Sequence, residues 1–222
     1  ILLLRFNQPL FTAMKQMKKQ ILIAVLLPVV LFPVFLSAQN TLVKERDMNT
    51  KKILVAFFSR TGENYAVGHI EQGNTHIVAE LIASATGGTL FRIEPATPYP
   101  DDYRACTEVA QREKQSKARP AFVGDIAAEE FDVIFLGYPN WWGDMPMIVY
   151  NFLERYNLSG KTIVPFCTHG GSGLSNTEST IADITEGKMK DGFAIPGTTA
   201  QNDRDTARNN VTDWLREDGF IE

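Results

Sequence analysis

The chain has 222 residues, 44% of them hydrophobic and 22% charged, with a formal net charge of −4 at pH 7. That length and apolar share suffice for one ordinary α/β domain plus a leader, and the acidic balance argues against a nucleic-acid partner. Two cysteines make no disulfide framework, and no set of His, Cys, Asp and Glu has metal-ligand spacing.

Residues 1–38 contain Arg5, Lys15, Lys18 and Lys19 and no acidic side chain. Beyond them 18 basic side chains face 26 acidic ones, a net charge near −8. Such a body suits a partner with a basic docking face; the plainer reading is a solubilising surface. Met14 to Lys19 supplies a basic start, Ile21 to Leu36 an apolar stretch interrupted by Pro28 and Pro33, and Leu36-Ser37-Ala38 a small-residue exit before Gln39. This is the order of a cleaved secretory signal, and the stretch is shorter than the roughly 20 residues of a spanning helix. The sequence therefore predicts export to the periplasm with no stable membrane span. Translation is expected to start at Met14 or Met17; a start at Met48 would instead give a cytoplasmic form. Residues 39–50 are polar and read as a tether, leaving 51–222 as the domain.

Ile53 to Phe58 is a continuous apolar run, the mark of a strand buried on both faces, and it stops at Ser59-Arg60-Thr61-Gly62. After a polar excursion from Tyr65 to Gly73 comes Asn74-Thr75, and then Ile77, Val78, Leu81 and Ile82 recur at helical spacing. Strand, polar loop and helix start form a favourable place for a phosphate, because backbone N–H groups and the positive end of the helix dipole converge there. The alternative is a turn that merely caps a helix. Neither Gly-Lys-Ser/Thr nor G-x-G-x-x-G is present. Further strands are predicted at Thr89–Ile93, Val133–Leu136, Thr162–Cys167 and Gly192–Ile195. Helices are predicted at Asp101–Lys117, Pro146–Tyr156, Ser175–Ile184 and Arg204–Glu217. Strands alternating with helices imply a doubly wound parallel sheet, whose ligands bind beyond the carboxyl ends of the strands.

Two more loops carry chemistry. Gly137-Tyr138-Pro139-Asn140-Trp141-Trp142 sets adjacent tryptophans between a strand end and a helix start, where one ring can pack as structure and the other invites a flat partner. Thr168-His169-Gly170-Gly171-Ser172-Gly173 follows the next strand, and its glycines let backbone amides approach a ligand edge or simply turn the chain. Cys167 is expected to be a buried residue at a strand end, and a Cys106–Cys167 bridge stays open.

Ser59-Arg60-Thr61-Gly62 with Gly73-Asn74-Thr75, the Trp-Trp loop, and Gly160-Lys161-Thr162 running into Phe166 to Gly173 together resemble the flavodoxin family, and within it the bacterial flavodoxin-like proteins with a Trp-Trp loop. The resemblance spans residues 51 to 220. It implies a flavodoxin-like five-stranded sheet of order 2-1-3-4-5, helices on both faces, and one non-covalent FMN. Ser59, Arg60, Thr61, Asn74 and Thr75 match the phosphate loop. Pro139, Asn140, Trp141 and Trp142 match the loop that covers the ring, and Thr168, His169, Gly170, Gly171 and Gly173 the loop at its other edge. The Tyr65–Gly73 segment departs from the family pattern and is expected to be a flap over the phosphate. The flavin carries the chemistry, Trp141 or Trp142 stacks on it, and Asp144 and a protonated His169 tune its potential in opposite directions.

Three functions follow from the resemblance. The first is an electron carrier serving a redox partner protein or a small-molecule donor or acceptor. The second is an FMN-dependent NAD(P)H or quinone oxidoreductase, with Tyr99 and the Tyr65 segment walling a substrate site. The third is a flavin-free binding protein on the same fold.

Overall fold

The computed structural model describes residues 51–222, and the leader expected at 1–38 and the tether at 39–50 lie outside them. The central strand is β1 (Ile53–Phe57). Its side chains alternate between two cores: Leu54 and Ala56, continued by Phe58, join one, and Val55 and Phe57 the other. A strand buried on both sides must be apolar at every position, which is why the run has no polar phase.

After β1 come a hairpin of β2 (Gly62–Asn64) and β3 (Gly68–Ile70), helix α1 (Asn74–Thr86) and β4 (Thr89–Arg92). A two-residue β5 (Glu94–Pro95), helix α2 (Tyr103–Ser116) and β6 (Phe122–Val123) lead to β7 (Val133–Pro139), α3 (Met147–Arg155) and β8 (Thr162–His169). The chain closes with α4 (Thr177–Thr185), β9 (Lys188–Met189), β10 (Phe193–Pro196), α5 (Gly197–Asn202) and α6 (Arg204–Glu217).

The main sheet runs β4-β1-β7-β8-β10, all parallel. Counted in chain order, these five strands have the expected order 2-1-3-4-5. The outermost position beside β8 is split: β9 pairs with its first residues, Thr162 opposite Lys188, and β10 with its last, Phe166 opposite Phe193. Helices α1, α5 and α6 cover one face through Val78, Ile82, Ala200, Val211 and Leu215. The other face is covered by α3 and α4 through Ile148, Val149, Phe152 and Ile181, with α2 against α3. Burying a side chain such as Phe135 or Phe166, each fully enclosed, contributes about 1.5–3 kcal/mol relative to leaving it exposed.

Boundaries shift where side chains cap. Helix α2 begins at Tyr103 rather than Asp101 because Asp102 is its N-cap, its carboxylate accepting from the Ala105 N–H at 2.7 Å. The hairpin, the β5–β6 pair, β9 and α5 are additions to the expected elements, and strands of two or three residues are too short to show a period. Cys167 is fully buried in β8, as expected, and both it and Cys106 are free thiols, so the bridge left open by the sequence is not formed. Among the described residues no helix is long and apolar enough to cross a membrane, and no group of side chains could hold a metal ion.

Candidate functional site

At the carboxyl ends of β7 and β8 lies a cavity of about 250 Å³. Its wall contains Arg60, Asn74, Pro139, Asn140, Trp141, Trp142, Thr168, His169 and Gly170 among the residues singled out from sequence. It also contains Tyr65, from the segment expected to be a flap, and Asn64, Tyr103, Cys106, Thr107, Ala110 and Gly197, which were not expected at the site. Ser59, Thr61, Thr75, Gly171 and Gly173 stand outside that wall.

Ser59 and Thr75 are turned inward. The Ser59 hydroxyl accepts from the His76 N–H at 3.1 Å, capping α1, and the Thr75 hydroxyl pairs with that of Thr168 at 2.8 Å, tying the helix to the end of β8. Gly73, the N-cap of α1, has no room for a side chain, since a Cβ there would collide with the Ser59 hydroxyl and the Arg60 carbonyl. The Ile77 N–H bonds back to the Gly73 carbonyl. Among the described residues, the Asn74 and Thr75 amides have no acceptor, and the buried Oδ1 of Asn74 has no partner. Open N–H groups at the head of a 13-residue helix can accept an anion.

Arg60 does not offer its guanidinium to that site. It is 9% exposed and donates to the Pro100 carbonyl from Nε at 3.1 Å and from Nη2, to the Asp101 carbonyl from Nη2, and to the Glu63 carbonyl from Nη1. A guanidinium committed to three carbonyls is a clamp between the hairpin and the segment before α2. Thr61 lines a separate depression of about 90 Å³ with Arg92 and Glu94.

The Trp-Trp loop is held from three directions. The Asn140 N–H donates to the Thr168 carbonyl at 2.8 Å, and its side-chain amide donates to the Gly173 carbonyl and the Ser175 hydroxyl at 2.8 and 2.9 Å. Its Oδ1 accepts from the Gly143 N–H at 3.0 Å, so one side chain joins the two glycine-bearing loops. Trp141 packs edge-on against Phe58 and Tyr99, with ring centres 5.4 and 5.2 Å away. Trp142 is 53% exposed and has a φ of +57°. Its indole N–H reaches the Thr107 carbonyl at 3.1 Å, and its carbonyl accepts from Lys114 Nζ at 2.7 Å. One tryptophan is structural and the other lies open, the division the loop position implies. Tyr99 is not in the wall of the larger cavity: its hydroxyl donates to Glu113 at 2.8 Å, and its ring packs behind Trp141 and lines the smaller depression with Thr61.

His169 accepts the Gly171 N–H on Nδ1 at 2.9 Å, which places its own proton on Nε2. Burial pushes its pKa below the usual 6.5, so the ring is neutral near pH 7 rather than protonated. The Cys106 thiol, also in the wall, is pushed up to about 11 by burial and is not a thiolate at neutral pH.

Tyr65, in the segment expected to form a flap or to wall a substrate site, stands in the cavity wall. The Tyr65–Gly73 segment closes a hairpin, with Gly62 opposite Ile70 and Asn64 opposite Gly68. Its turn places Ala66 and Gly68 at positive φ, and Tyr65, 61% exposed, lies against Gly170 and 6.3 Å from the Tyr103 ring centre.

A family model described as Flavodoxin matches residues 52–217. A protein of Bacteroides eggerthii, provisionally assigned as a flavoprotein, is 31% identical; the match covers 75% of this chain and 97% of that one, with a TM-score of 0.58. A similarly assigned protein of Bacteroides uniformis is 30% identical over 76% of this chain and 99% of its own, with a TM-score of 0.59. A flavoprotein of Lactobacillus acidophilus, solved in complex with FMN, is 20% identical over 68% of this chain and 97% of its own, with a TM-score of 0.54, a likeness of fold. No curated protein matches the chain.

Proposed function

The chain belongs to the flavodoxin family, and from that premise we propose that it binds one FMN in the cavity between the Trp-Trp loop and the His169 loop and serves as an electron carrier. The observation that carries the reading is the combination, in one cavity wall, of a helix N-terminus with open amides, the partnerless Asn74 Oδ1, and aromatic side chains. The residues fit the group. Amides of Asn74 and Thr75 would take the phosphate, Asn74 Oδ1 would accept a sugar-chain hydroxyl, and Trp142 and Tyr65 would border the planar ring. Bound there, FMN supplies reversible one- and two-electron chemistry. Asn140 sets the spacing of the two loops, His169 Nε2–H offers a neutral donor at the cavity wall, and Trp141 with Tyr99 and Phe58 closes the floor to water.

The acidic body, near −8 over 51–222, supports a basic protein partner over an anionic nicotinamide dinucleotide. A second reading, an FMN-dependent oxidoreductase, is favoured by the exposed rings of Tyr103 and Trp142 at the rim. The basic, apolar and small-residue order of residues 14–38 supports export as part of the same proposal.

Titrating the purified protein with FMN tests the reading. Saturable quenching of flavin fluorescence with one FMN per chain, and a structured shift in the flavin absorbance bands, is the expected result. Flavin fluorescence and absorbance identical to free FMN at saturating concentration would overturn it and favour the flavin-free alternative.

A further inference from the structure

The hairpin that carries Tyr65 is fixed at its base and open at its tip. Arg60 grips the Glu63 carbonyl, the Glu63 N–H donates to the Asp101 carbonyl at 2.9 Å, and the Glu63 carboxylate accepts from the Tyr103 N–H at 3.4 Å. Nothing comparable holds the Tyr65 hydroxyl, which has no hydrogen-bond partner among the described residues. The ring is positioned by packing alone. On one side it touches the loop after β8, where a Cβ added at Gly170 would come within 2.8 Å of its Cδ1 and 2.9 Å of its Cε1. On the other it leans on Tyr103 at the start of α2, tilted by 39°. The loop after β8 and α2 are two walls of the cavity, so a ring that touches both spans the gap between them.

Gly170 is part of the same device. With glycine there the tyrosine ring can approach the loop closely, whereas a Cβ would push the ring aside. The cavity between these walls measures about 250 Å³, small beside the roughly 300–1,000 Å³ of ordinary small-molecule sites.

We propose that Tyr65 is a specificity-determining residue that keeps a second planar ring out of the cavity. A cofactor held there then exchanges electrons singly with another protein, which loses the electron the cofactor gains, and not with a dihydronicotinamide or a quinone. This inference rests on the FMN reading. A dihydronicotinamide would have to pass a hydride, two electrons and one hydrogen nucleus together, and depart as the oxidised nicotinamide cation. That transfer needs the reacting atoms within about 3–3.5 Å, and a tyrosine ring lying between the two walls would hold a second ring farther off.

The experiment compares the wild type with Tyr65→Ala, Tyr65→Phe and Gly170→Ala, each loaded with FMN and reduced anaerobically by NADPH, by 1-benzyl-1,4-dihydronicotinamide, or by dithionite. Dithionite should reduce all four. The dihydronicotinamides should react slowly and without saturation with the wild type and Tyr65→Phe. With Tyr65→Ala, and with Gly170→Ala in which the added methyl displaces the ring, the rate should rise by about tenfold or more. The FMN dissociation rate, a measurement independent of turnover, should increase severalfold in Tyr65→Ala and stay near wild type in Tyr65→Phe. Fast, saturable reduction of the wild type by either dihydronicotinamide, or no gain in both ring-displacing variants, overturns the inference while the FMN reading stands. Failure of the wild type to bind FMN overturns both.

Discussion

At the scale of single residues, the polar side chains around the cavity divide by whether the protein has already used their hydrogen-bonding capacity. Ser59, Arg60, Thr75 and Asn140 spend theirs on backbone and neighbouring side chains, whereas Asn74 Oδ1 and His169 Nε2 do not. All of them are short motif members in the sequence, and nothing in a motif says which way a side chain turns. His169 gives this a measurable form. Its folded pKa lies below the unfolded value of 6.5, so the stability it contributes is complete above 6.5 and is lost as pH falls through the folded value. His169→Asn retains an acceptor for the Gly171 N–H and removes the titration. In urea unfolding the wild type should lose stability relative to that variant between neutral pH and pH 5; parallel stability curves would contradict the burial of the imidazole.

At the scale of elements, helix α2 does more than cover the sheet. It supplies Tyr103, Cys106, Thr107 and Ala110 to the cavity wall, and through the Thr107 carbonyl and Lys114 it pins a loop that begins at the end of β7. Lys114 also lies 3.5 Å from Asp144, whose carboxylate accepts from the Met145 N–H and the Tyr150 hydroxyl. Lys114→Met should therefore act on the loop more than on the fold. The lost pair is partly exposed and should change unfolding stability by no more than about 1 kcal/mol. The FMN dissociation constant should rise severalfold, because Trp142 loses the bond that holds its positive-φ backbone. An affinity equal to wild type would show that the indole bond to Thr107 suffices alone. The sequence predicted this helix over Asp101–Lys117, and its polar character concealed that one end of it walls a site.

At the scale of the whole molecule, two apolar cores on either side of one sheet hold three strand ends in a common plane of loops. The close fit of β7 to β8 is what brings Pro139 opposite Thr168 and the Asn140 N–H onto the Thr168 carbonyl. Gly137, in the middle of that pairing, is opposite Phe166, whose ring fills the space where a Cβ would stand. Gly137→Ala should overpack this seam and cost about 1–3 kcal/mol. The loss should be seen as a lower urea midpoint with an unchanged slope; a midpoint equal to wild type would mean that the sheet yields freely at this point.

The sequence by itself determined the parallel doubly wound sheet, its strand order through the family resemblance, and the three loops in which a ligand would lie. These follow from patterns that a one-dimensional string carries directly: apolar runs as long as a strand, helical spacing, and glycine-rich turns at strand ends. Only the tertiary structure decided that Arg60 clamps backbone, that Trp141 packs while Trp142 stays open, and that Tyr65 lies on Gly170. Each of those depends on contacts between residues far apart in the chain: Arg60 with Pro100 and Asp101, Trp141 with Phe58 and Tyr99, Tyr65 with Gly170 and Tyr103. A hydrogen-bonding group or an aromatic ring has the same letter whether its partner is solvent, backbone or a ligand, and only the folded chain supplies the partner.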